Sequence, residues 1–125
     1  MKNKWFGIIM AAAIFALAAA PVSAGSLKGA ELLEMLSENS SAKVHGIVEK
    51  THAMGYLTGL LEAFVMLNDI TPEIKLFCLP SSGISAGDAK IVVVNWLEAH
   101  PERRNEQARV LVMYALRDAY PCVDK

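Results

Sequence analysis

The chain has 125 residues, just over half of them apolar, and its 12 basic and 13 acidic side chains leave a formal charge of −1. That balance excludes a nucleic-acid binder working by charge: no dense basic patch occurs, and the adjacent arginines Arg103 and Arg104 are flanked by Glu102 and Glu106. The length suits one compact domain and no second.

The first 24 residues read as a secretory signal peptide. Lys2 and Lys4 make a positive start, Trp5 to Ala20 is apolar apart from one glycine, and Pro21 with Val22-Ser23-Ala24 supplies a cleavage site before Gly25. A retained anchor is the rival reading, but the run falls short of the ~20 residues that span a bilayer. No cysteine stands at the cleavage site, so neither a lipid anchor nor any other membrane attachment is expected after cleavage. What remains, 25–125, is a single domain of 101 residues with 10 basic against 13 acidic groups, a charge of −3. Export points to the periplasm, where disulfides form.

In chain order, a short helix is expected after Ser26, with Leu27, Ala30, Leu33 and Leu36 on one face, ending in the polar loop Glu38-Asn39-Ser40-Ser41. A long helix follows over 42–67, carried by Val44, Ile47, Val48, Leu57, Leu60, Leu61, Phe64 and Val65 and closed by Asn68-Asp69. Gly55 and Gly59, four apart, weaken its propensity but would let another helix approach closely. Thr71-Pro72-Glu73 makes a turn, and 74–79 is too short for a helix and reads as extended or irregular.

Ser85 and Asp88 have capping-box spacing, with Ile84 placed as a hydrophobic staple. Ile91-Val92-Val93-Val94 would pass for a strand on propensity, yet the cap, the length and the stop at Pro101 decide for a helix. Its apolar residues lie all round, which implies burial on more than one side or at a subunit contact. The last helix runs from about Asn105 to Ala119 with a stripe of Ala108, Leu111, Val112, Ala115, Leu116 and Ala119, stopped by Pro121. The fold class is all-α: a compact bundle of about four helices. Cys78 and Cys122, the two cysteines, bracket the last two helices; if paired, they close a 44-residue loop, restricting the unfolded chain by roughly 4 kcal/mol.

Catalytic motifs are sparse. A cysteine nucleophile is a poorer explanation of two bracketing cysteines in an exported chain than a disulfide. His45, Glu49 and His52 share one helical face, but three ligands from one helix do not enclose an ion, and a solvated face is commoner; no metal or cofactor is expected. His100, next to Pro101, is assigned to hydrogen bonding at a helix end. Tyr56, Trp96 and Tyr114 read as core aromatics, and no phosphate loop or nucleophile elbow occurs. An enzyme is not expected.

The order FCLP, a polar turn, GD opening a helix, WLEAHPERR, A-x-x-L-V-x-x-A-L and a terminal YPC, with GYLTG on the long helix, resembles the Rap/Tai immunity proteins of type VI secretion. The resemblance implies a small periplasmic α-helical homodimer that binds and blocks a secreted peptidoglycan amidase, without chemistry of its own. With export and the hairpin pattern, it predicts a Cys78–Cys122 disulfide. Relatives commonly carry a further cysteine pair where this chain has Leu36 and Ala53, so one staple fewer is expected. The alternative function, suggested by size and disulfide usage, is an HdeA-like acid chaperone whose excess of carboxylates would lose its charge at low pH.

An inhibitory segment should be exposed, short and ordered before it docks. Pro80-Ser81-Ser82-Gly83 fits as a plug, since small serines enter a narrow groove and Gly83 permits close backbone approach. Arg103 and Arg104, in the connection His100 to Asn105, are assigned to rim contacts that steer association.

Overall fold

The computed structural model describes residues 26–37 and 44–122. The expected signal peptide and the expected polar loop at 38–41 lie outside the described residues. Four helices carry the described part: α1 (Gly29–Leu36), α2 (Val44–Ile70), α3 (Ala86–Ala99) and α4 (Ala108–Ala119), with a 3₁₀ turn at Pro101–Arg103. Each helix packs against the other three, so the core is shared rather than split into pairs.

The first helix starts later than its sequence suggests. Lys28, not Ser26, is the N-cap, and its backbone N–H donates to the Glu31 carboxylate at 2.9 Å. The cause is tertiary. Leu27 accepts from the Ala108 amide (2.7 Å), while the amides of Gly29 and Ala30 donate to the carbonyls of Glu106 (3.1 Å) and Arg104 (2.9 Å). Two of the donors that every helix start leaves unmatched are thereby satisfied by the connection before α4. The shift also turns the helix: Gly29, Leu32 and Leu36 are buried, Leu33 is half-buried and Ala30 is exposed. Gly29 has no room for a side chain, because a Cβ would collide with Leu111 and lie 3.2 Å from Arg104 O.

The long helix has 27 residues, about 40 Å of rise, and buries Gly46, Ala53, Leu57 and Leu61 along one line. Ile47 and Val48, expected to support the core, are 58 % and 60 % exposed. The helix also runs past Asn68 to Ile70, because that residue's side chain serves the next segment instead of ending the helix. Its amide donates to Phe77 O and its carbonyl oxygen accepts from the Leu76 amide, both at 2.8 Å. The irregular stretch at 74–79 is thus tied to α2, and Phe77 is buried edge-to-face against Phe64. Tyr56 on α2 is half-buried and lines one cavity with Arg109 of α4; burial raises the phenol pKa, and Arg109 partly opposes that shift.

The third helix opens as its sequence indicates. The Asp88 amide donates to Ser85 Oγ (3.1 Å) and the Ser85 amide to the Asp88 carboxylate (3.0 Å), a reciprocal capping box. Ala89, Val93, Trp96 and Leu97 are buried, whereas Ile91 is exposed. The last helix begins at Ala108 rather than near Asn105, since Gln107 stays extended and bridges to Lys28. Its buried stripe of Ala108, Leu111, Val112, Ala115 and Leu116 agrees with the pattern, except that Ala119 is exposed.

Cys78 and Cys122 are joined, with Cα atoms 4.9 Å apart. Beside the bridge, the Cys78 amide donates to Tyr120 O at 2.8 Å. Leu36 and Ala53, the two positions for which one staple fewer was expected, are fully buried in the apolar core. No described helix is long and apolar enough to cross a membrane.

Candidate functional site

The turn at Pro80 to Gly83 begins two residues after the staple and ends two residues before the cap of α3. Pro80 fixes its own φ, and the Gly83 amide closes the turn on Pro80 O at 2.8 Å. Gly83 has φ +70°, a conformation that costs other residues about 1 kcal/mol or more. Pro80, Ser81, Ser82 and Gly83 are all exposed, and none of the described residues lies within 4 Å of where a Gly83 Cβ would be. Upstream, the Cys78–Cys122 bridge and the Cys78–Tyr120 hydrogen bond hold the entering strand of chain. Downstream, the Ser85–Asp88 box fixes the exit and holds the Asp88 carboxyl below its ordinary pKa, through hydrogen bonds from the Ser85 hydroxyl first and its amide second. The result is an exposed turn whose two ends are both fixed.

The adjacent arginines lie at the other end of α3, a helix of 14 residues and thus roughly 20 Å from the turn. Both side chains are engaged within the fold. Arg104 donates from Nε to Leu97 O (2.7 Å) and from Nη2 to Glu98 O (3.1 Å), meeting carbonyls that the last turn of α3 leaves open. Arg103 makes a two-pronged pair with Glu106 at 2.7 and 2.8 Å and lies 4.5 Å from the Tyr114 ring centre. The Glu106 hydrogen bonds raise the guanidinium pKa and, reciprocally, lower that of the Glu106 carboxyl. The structure therefore places Ser81, Ser82 and Gly83 together and sets Arg103 and Arg104 apart from them.

Around Arg103 stands a cluster that separate readings of its members did not assemble. Trp96 stacks on His100 at 4.0 Å, donates from its indole N–H to Asp118 (2.8 Å) and lies near-parallel to Tyr114. Arg117 also lies 4.6 Å from the Tyr114 ring. The i, i+4 spacing of Trp96 and His100 was the available signal. His100 does act at a helix end: its amide donates to Trp96 O at 3.1 Å, and Nδ1 sits 2.8 Å from the same oxygen. His45 pairs with Glu49 at 2.9 Å on the surface, and no cluster that could hold a metal ion occurs among the described residues.

The fold and the fixed turn define a small, disulfide-stapled all-α domain. The sequence pattern of the Rap1a immunity proteins matches residues 28–122, and the chain belongs to that family. No curated protein matches it.

Proposed function

We propose that the mature chain is a periplasmic immunity protein that binds and blocks a peptidoglycan amidase delivered by type VI secretion. The Pro80–Gly83 turn enters the amidase cleft and excludes substrate, so inhibition needs no chemistry from this chain. The observation that carries the proposal is the fixing of an exposed, small-residue turn at both ends. A segment ordered before docking loses little conformational entropy on binding. Ser81 and Ser82 present hydroxyls on a narrow profile, and Gly83 keeps the backbone open on its side.

Arg104 is assigned to closing the end of α3, and only Arg103 retains a role at the rim, where its charge steers association. The active form is a homodimer, supported by the outer line of α2: Val48, Gly55, Gly59 and Ile70 are all exposed, and among the described residues neither Gly55 nor Gly59 has a neighbour within 4 Å of a Cβ position. The small-residue pair is thus left for a second copy and not for a helix of the same chain. Sedimentation at micromolar concentration should show a dimer; a monomer alone would remove that part.

The deciding experiment replaces Ser81 and Ser82 by tryptophan and, separately, Arg103 by alanine, and measures inhibition of the amidase encoded beside the gene. The turn variant should lose inhibition with an unchanged fold, whereas Arg103→Ala should slow association and weaken its salt dependence. Full inhibition by the turn variant would overturn the plug. Periplasmic fractionation tests export.

A further inference from the structure

The turn borders an open groove of about 500 Å³ that runs between α2 and the chain leading into α3. Leu61, Val65 and Met66 line it from α2, Leu79 and Ile84 line it from either side of the turn, and Gly83 forms part of its lip. Met66 is 60 % exposed, so the core makes little use of its side chain. Glu62 and Asp69, seven positions apart on the same helix, also line the groove, and among the described residues no basic side chain does.

A turn made of proline, two serines and a glycine has little apolar surface with which to hold a partner. It can set position and exclude substrate, but strong interfaces draw most of their energy from a few apolar or aromatic anchors seated in pockets. The groove beside it has the missing character: apolar walls, an open lip and a negative rim. We propose that this groove seats an apolar side chain of the toxin that is flanked, in the toxin's own sequence, by lysine or arginine. The assignment rests on the reading of the chain as an inhibitor docking through the turn. Charge selects this occupant over a second copy of the chain, because a twofold contact centred here would set Glu62 and Asp69 against their own copies. The turn then fixes register, the groove supplies affinity, and the two carboxylates select for a cationic flank.

Two capped pentapeptides serve as probes, one Gly-Lys-Leu-Lys-Gly and the other Gly-Glu-Leu-Glu-Gly, titrated into the mature chain while backbone amide NMR signals are followed. The basic peptide should bind with roughly millimolar affinity, as its few apolar atoms allow. It should shift the amides of Val65, Met66, Gly83 and Ile84, and the acidic peptide should not. Equal binding of the two peptides, or shifts confined to other faces, would overturn the charge-selective groove. In the amidase assay, Met66→Asp should weaken inhibition by about tenfold or more, the loss expected for an interface anchor. Glu62→Lys combined with Asp69→Lys should slow association, most strongly at low salt. All three residues are exposed, so the variants keep the fold, which circular dichroism checks. Inhibition untouched by Met66→Asp overturns the groove and leaves the plug standing. A wild-type chain that inhibits no peptidoglycan amidase overturns the inhibitor reading itself, and this assignment with it.

Discussion

The region from Phe77 to Cys122 and the long helix before it are held in different ways. The later region is closed by a disulfide, opened by a reciprocal cap and finished by an arginine that meets the carbonyls of α3. The helix α2 has none of these devices among the described residues; it is held by one buried line, Ala53, Leu57 and Leu61, by the Tyr56 and Asn68 side chains and by neighbouring half-buried residues, with much of its apolar surface left outside. Covalent and polar restraint concentrates where the exposed turn must hold one shape. The helix with spare apolar surface is the one available to partners.

The comparison breaks most sharply at the staple. Replacing Cys78 or Cys122 by serine, or reducing the bridge, should cost about 4 kcal/mol, readable as a lower urea midpoint that the wild type matches only in reductant. A smaller loss, about 2 kcal/mol, is expected for Gly29→Ala, since the added methyl meets Leu111 and the Arg104 backbone in a filled core. Ser85→Ala should cost about 1 kcal/mol by removing the cap beside the turn. That change has a pH signature. The folded-state pKa of Asp88 is depressed, so its stabilising effect is complete above the ordinary carboxylate pKa and is lost as pH falls through the lower folded value. Wild type should therefore lose more stability on acidification than Ser85→Ala. On α2, Ile47→Lys should change unfolding by less than about 0.5 kcal/mol, because the side chain is mostly in water.

Local signals explain which parts were legible. The Ser85 cap, the Pro101 stop and the 108–116 stripe each act within a turn or two of where they are written, and the structure follows them. The pairing of Cys78 with Cys122 could be read because the expected export, the bracketed hairpin pattern and the family resemblance all pointed to it. The start of α1 was not legible, since its first amides are satisfied by carbonyls of Arg104 and Glu106, far along the chain. Asn68 looked like a terminator because nothing local shows that its amide is used on residues 76 and 77. Arg103 and Arg104 were both assigned to rim contacts for the same reason: a sequence shows their charge, not the carbonyls and carboxylate that they meet after folding.

The hydrogen bonds joining residues 27–30 to 104–108 also set an order of events. A chain made N-terminus first delivers α1 long before the carbonyls that complete its first turn. The first turn of α1 must then wait for the last quarter of the chain, although the helix also packs on α2 and α3, and Cys122 arrives later still. The contacts that finish the shape of α1 are thus among the last to become available, and its first turn is completed only when nearly the whole domain is present.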